Sequence, residues 1–181
     1  MPTTFYVISI GNLADSDTSE GNFTAENASG LVGLTFGGPG DSLVDDFAKL
    51  SLVSDGNGNG AYDMNNFNSS DTFSIDGGAP QTFDGTSVYN ATITFIDGAT
   101  ASYTAVLFQD TDGNSYLAPE FSPNGDQTTL EAGAIRSITL DSLLGNRFQR
   151  FFGESQRRVF HLEEALILLD QRVLRLGQDL D

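Results

Sequence analysis

The chain is predicted to be mainly β: an antiparallel β-sandwich or barrel of about 8–9 short strands over residues 1–145, then a C-terminal amphipathic, coiled-coil-type α-helix within 146–181. Three observations predict this. The first 145 residues are rich in Gly, Asn, Asp and Thr, which punctuate short apolar runs. Within them Tyr89, Ala91, Ile93 and Phe95 alternate with Asn90, Thr92 and Thr94, the period of two of a half-buried strand. From Arg147 onward there is no Pro, and the apolar period becomes helical.

Taken in order, TFYVISI (4–10) reads as the first strand. Residues 11–30 are polar, with a short helical turn expected after Thr24. LVGLTF (31–36) and KLSLV (49–53) follow as strands, and 54–71 forms a long Gly/Asn loop. TFSI (72–75) and QTFD (81–84) are short strands. SVYNATITFI, TASYTAVLFQ and SYLAP (87–119) make a three-stranded meander, because Asp-Gly turns separate them. RSITL (136–140) is the last strand, and chain character changes near Leu143.

The tail carries a heptad seam. Val159, Leu166, Val173 and Leu180 occupy position a, and Leu162, Leu169 and Leu176 occupy position d. Arg158 at g faces Glu163 at e of a parallel neighbour in such a coil. Phe160, Ile167 and Leu174 add a second apolar stripe, which suits a higher oligomer or packing on the β-body. The helix start falls between about 147 and 156, since Ser155 and Arg158 make a poor capping box.

Charge divides unevenly. The net charge is −17. Six Arg and six acids balance in residues 146–181, so the body holds Lys49 and Arg136 against the other nineteen acids. Such a body repels nucleic acid and anionic membranes. The absence of Cys excludes disulfides, thiolate metal sites and cysteine nucleophiles. No stretch approaches the roughly 20 apolar residues of a membrane helix. The N-terminus has no basic, apolar leader pattern, so a classical signal peptide is not expected.

One segment matches a cation loop at several positions. Asp55, Asn57, Asn59 and Asp63 fall at ligand positions 1, 3, 5 and 9 of an EF-type calcium loop, with Gly60 at the turn and Ala61 at the carbonyl position. The acid wanted at position 12 is Asn66, a poor substitute, so any Ca2+ binding is expected to be weak. The alternative is an ordinary Asn/Gly surface loop. Asp110, Asp112 and Asn114 lie where a hairpin turn is needed and are read as that turn. The single His, His161, lies on the tail helix, away from any triad in the body. No catalytic residues are assigned and no enzyme activity is expected; the enzyme alternative is a polysaccharide-cleaving pair of carboxylates, for which nineteen acids offer many combinations and the sequence selects none.

Several phrases of the body resemble a known family: "TSEGNFTAENASGLVG", "DTFSIDGG", "QTFDGTSVYNATITFIDGATASYTAVLFQDTDGNSYLAPEFSPN" and "TLEAGAIRSITLDSLLG". They are similar to the N-terminal β-rich module of bacterial hedgehog/intein-type (Hint) proteins, over about residues 3–145. The resemblance implies a module of secreted or surface-associated parents, set before a Cys-initiated autoprocessing domain. This chain has no Cys, and the heptad segment stands where that domain would begin, so self-cleavage is not carried over. The expectation is a non-enzymatic structural or adhesion module on a phage-like particle or cell-surface appendage, held by its C-terminal helix as a homo-oligomer or docked on a larger assembly. A calcium-dependent carbohydrate-binding module with a glycan ligand is the alternative, and a secretion or folding adaptor related to Hint proteins is another. An extracellular or particle-surface location fits these readings, and the cytoplasm is left open.

Overall fold

The computed structural model describes residues 4–60, 62–66, 71–119, 124–148 and 150–151. The heptad residues Val159, Leu162, Leu166, Leu169, Val173, Leu176 and Leu180, with His161, lie outside them.

Ten strands are present among the described residues: β1 Thr4–Asn12, β2 Thr35–Gly37, β3 Phe47–Ser54, β4 Tyr62–Asp63, β5 Thr72–Ile75, β6 Gln81–Phe95, β7 Thr100–Asp110, β8 Asn114–Ala118, β9 Ile135–Gly145 and β10 Arg150–Phe151. All pairings are antiparallel. One helix, α1, spans Gly125–Leu130, and two 3₁₀ turns span Ala28–Leu31 and Leu43–Asp45.

The eight-stranded sheet runs β2-β9-β6-β5-β3-β1-β8-β7, and β7 pairs again with β6. The six strands β6-β5-β3-β1-β8-β7 therefore close into a ring. β6 makes this geometry possible by its length. Its first residues, Gln81 and Thr82, pair with β5, while Val88 to Phe95 pair with β9 on the same side. Its other side runs along β7 from Phe83 to Thr94, with a bulge between Phe83 and Thr86.

Two cores result. Phe5, Val7, Leu50, Phe73, Phe83, Phe108 and Tyr116 come from all six ring strands and form one cluster with Tyr62 and Met64. Ile8 and Ile10, Tyr89 to Phe95 at alternate positions, Leu107, Ile135, Ile138 and Leu140 form the other, under Leu31, Phe36 and Leu43. β7 serves both: Val106 and Phe108 face the first cluster, Tyr103, Ala105 and Leu107 the second. Tyr89 ties the second core to the Ala28–Leu31 turn, since its hydroxyl accepts from Ser87 Oγ at 2.9 Å and donates to the Ala28 carbonyl at 2.8 Å.

Several sequence expectations are corrected. LVGLTF is not one strand: Leu31 ends a 3₁₀ turn, Gly33 turns the chain at φ 88°, and the strand is Thr35–Gly37, before which the Gly33 N–H and the Leu34 carbonyl still bond Leu140 of β9 at 2.7 and 3.0 Å. QTFD and SVYNATITF are one continuous strand, because the bulge carries the ladder across Asp84 and Gly85. At fifteen and eleven residues, β6, β7 and β9 are not short. α1 was not expected from the sequence. Asn124 caps it, its Oδ1 accepting from the N–H groups of Asp126 and Gln127 at 2.8 and 3.0 Å. Residues 146–151, assigned by sequence to the tail, are joined to the body. The backbone N–H of Ala25 donates to the Asn146 carbonyl at 2.8 Å, Arg147 bridges to Thr24, and β10 pairs with β4. Residues 147–148 and 150–151 are not helical, so no tail helix begins at them. Among the described residues no helix is long and apolar enough to cross a membrane.

Candidate functional site

The loop leaving β3 folds around its own carboxylates. Asp55 Oδ1 accepts from the Asn59 N–H at 3.2 Å, and Oδ2 accepts from the Gly60 N–H at 2.7 Å. These are the bonds by which a short acidic side chain holds a turn of backbone against itself. Asp63, on β4 and 6% exposed, sits opposite, and its Oδ2 accepts from Asn57 Nδ2 and Asn59 Nδ2, both at 2.5 Å. The four residues expected as calcium ligands, Asp55, Asn57, Asn59 and Asp63, are thus brought together in one loop. Asn66, the twelfth position of the pattern, is not with them; its amide donates to Asp17 Oδ2 at 2.9 Å.

As the loop stands, two amide N–H groups point where a cation would meet Asp63. Calcium needs oxygen, so both amides would have to turn over to offer Oδ1. Among the described residues no three His, Cys, Asp or Glu side chains form a group able to hold a metal ion. Two carboxylates and two amides are fewer than the six to eight oxygens that calcium takes.

Asp71 fastens the base of the loop, a role the sequence did not disclose. Its Oδ1 accepts from the Gly56 N–H at 2.8 Å and its Oδ2 from the Asp63 N–H at 2.7 Å. Its backbone joins β4 and β6, donating to the Asp63 carbonyl at 3.1 Å and accepting from Phe83 N–H at 3.0 Å. Burial raises the Asp71 carboxyl above its ordinary value, against the lowering effect of the two accepted N–H bonds. Asp71→Ala should cost about 2 kcal/mol or more, since two backbone donors lose their acceptor in a buried place. Urea unfolding measures it; a loss near zero would mean that water replaces the carboxylate at no cost.

A second group of acids lies behind the β6 bulge. Asp17 and Asp84 are 1% and 3% exposed. Burial lifts the Asp17 carboxyl to about 6, with Glu26 and Glu20 adding to the rise and Asn66 opposing it. Burial lifts Asp84 to about 7, with Asp15, Glu20 and Asp17 adding and Asn65 opposing. Their closure to solvent keeps both away from a sugar chain, so they do not form the open acid pair of a glycoside hydrolase. The acidic cluster of Asp110 is the hairpin turn between β7 and β8: Asp110 Oδ1 accepts from the N–H groups of Asp112 and Asn114 at 3.0 and 2.8 Å.

Compared with known proteins, this chain of closed barrel and acidic loop matches no family model, no curated protein and no solved structure.

Proposed function

We propose that the chain is a non-enzymatic structural or adhesion module, displayed by a larger assembly and joined to it, or to copies of itself, through the heptad segment 159–180. One observation carries the reading. The ring of strands closes on itself, and β2, three residues long, stands at the free end of the main sheet. The ring itself offers no edge for strand addition, and the free edge beside it among the described residues is limited to β2 and the 141–145 end of β9, so the reading gives assembly to another part of the chain. The unbroken a/d seam on a charge-balanced segment is that part, and the acidic body keeps the displayed faces soluble and mutually repelling. The resemblance to the N-terminal module of Hint-type proteins agrees with a module carried by a larger surface-associated structure.

The test is absolute mass in solution. The full chain should scatter light as a multiple of 19.3 kDa, and Leu166→Asp with Leu169→Asp should bring it to that value with the barrel intact by circular dichroism. An unchanged mass sinks the assembly role of the seam.

The gathering of Asp55, Asn57, Asn59 and Asp63 favours a second reading, a calcium-dependent carbohydrate-binding module. It requires that Asp55→Ala with Asp63→Ala remove a calcium-dependent rise in melting temperature and any calcium-dependent glycan binding.

A further inference from the structure

Three chain segments far apart in sequence meet at the β6 bulge. Ser16 and Asp17 follow β1, Asn65 and Asn66 follow β4, and Asp84, Gly85 and Thr86 form the bulge. The approach is close because Gly85 has no side chain. A Cβ there would stand 2.9 Å from Asp17 Cβ, 3.4 Å from Ser16 Oγ and 3.7 Å from Asp17 Oδ2. Asn66 Nδ2 donates to Asp17 Oδ2 at 2.9 Å, the Asn65 side chain hydrogen-bonds Asp84, and the Asn65 N–H donates to the Phe83 carbonyl at 3.1 Å.

Ser16, Asp17, Asn66, Asp84 and Thr86 are each less than 5% exposed. Yet Ser16 Oγ, Asp17 Oδ1, Asn65 Oδ1, Asn66 Oδ1 and Thr86 Oγ1 have no hydrogen-bond partner among the described residues. Buried polar atoms are nearly always paired. The five unpaired oxygens lie in three segments that pack on one another. Asp17 Oδ1 and the two amide Oδ1 atoms only accept, because the Asn66 and Asn65 amide nitrogens already face Asp17 and Asp84. Their partner must therefore bring positive charge or donors, and the charged groups acting on the two carboxyls are all acids: Glu26 and Glu20 on Asp17, which also meets the Ser19 backbone N–H, and Asp15, Glu20 and Asp17 on Asp84.

We propose that Asp17, Asp84, Asn65, Asn66, Ser16 and Thr86 form a buried site for a hard divalent cation, calcium, which binds the loops after β1 and β4 to the barrel at the β6 bulge. Every candidate ligand is an oxygen, with neither nitrogen nor sulfur among them, which selects alkaline-earth over transition metals. Six oxygens suit the six to eight ligands of calcium, whereas magnesium keeps several waters and a stricter octahedron. Two carboxylates would match the charge of one such ion. The site is separate from the Asp55 loop and is built from side chains buried by the fold, so it acts as a structural clamp.

The experiment uses the full chain, stripped with a chelator and titrated with calcium chloride by calorimetry and by melting. The parent chain should take up an equivalent of calcium that Asp17→Asn with Asp84→Asn lacks. At calcium about a hundredfold above the dissociation constant its midpoint should rise by about 5 to 10 °C, and the variant's rise should be smaller by that amount. In chelator the order should reverse, because the variant carries two buried charges fewer. Asp55→Asn with Asp63→Asn separates the two sites: it should retain the clamp equivalent. If that equivalent vanishes with the Asp55 pair and persists in the Asp17 pair, or if the parent chain binds no calcium, the clamp is refuted; the first outcome leaves the loop reading standing. Should the double variant fail to fold in chelator, Asp17→Asn alone supplies the same comparison.

Discussion

Phe73→Ala is expected to destabilise the protein by about 3–5 kcal/mol, in the range of fully buried aromatic truncations. Phe73 has no exposed surface. Its ring meets Phe83 at 6.4 Å, Phe108 at 5.8 Å and Tyr116 at 5.9 Å between centroids, all edge-to-face. Such pairs add about 0.5–1.5 kcal/mol each beyond area burial. The position matters as much as the volume. β5 is four residues long and pairs with β6 through only Thr72 and Phe73, so it is the shortest span of the ring between β3 and β6. Removing the ring side chain takes away what holds that span against the interior. Guanidinium unfolding of Phe73→Ala against the parent chain reads the loss directly. Val53→Ala, at a position 51% exposed, is the control and should stay within about 0.5 kcal/mol. A loss at Phe73 as small as the control's would mean that the aromatic cluster does not hold the barrel closed.

The fold class was legible because strand alternation and turn chemistry are local. Tyr89 to Phe95 carries both its period and its turn on the surface of the sequence, and the ladder with β7 follows. Closure was not legible. A period of two reports which face is buried, but Ile8 and Val7 are both buried, on different cores, and that pattern does not name partners. Gly85 hid the continuity of β6, since Asp84-Gly85 among polar residues reads as a turn between two strands unless the bulge is known. Asn124 with Gln127 three residues on is a legible cap for α1, but at six residues the helix is too short to show an apolar period. The two candidate sites divide in the same way. Asp55, Asn57, Asn59 and Asp63 lie within nine residues, so spacing alone displays them. Yet their polar atoms largely satisfy one another. Asp17, Asn66 and Asp84 share no motif, because the packing of two loops on the β6 bulge brings them together and leaves Asp17 Oδ1 and Asn66 Oδ1 unpaired.

Gly37→Ala tests how the sheet beyond the ring is held. Gly37 has φ 74°, and a Cβ there would lie 2.4 Å from the Arg136 carbonyl oxygen and 2.7 Å from Leu43 Cγ. The first neighbour is backbone of β9 and the second a side chain 2% exposed in the core, so neither gives way cheaply. The left-handed backbone costs a residue with a Cβ about 1–2 kcal/mol, and forced overpacking adds about 1–3 kcal/mol. The expected sum is about 2–5 kcal/mol, unless the structure finds a cheaper escape. One exists: β2 pairs with β9 only through Thr35, Phe36 and Gly37, extended by the bonds of Gly33 and Leu34 to Leu140. Releasing β2 would relieve both contacts at the cost of exposing Phe36, which is 8% exposed in the folded sheet. Hydrogen exchange distinguishes the two outcomes. Early loss of protection at 35–37 and 137–139 with the ring still protected would mean that β2 is a detachable flap on a self-sufficient barrel. Loss of protection throughout, together with the full drop in stability, would mean that the second core cannot close without β2. The second result is expected. Phe36, Leu43 and Ile138 belong to one buried cluster, and opening β2 uncovers all of it at once.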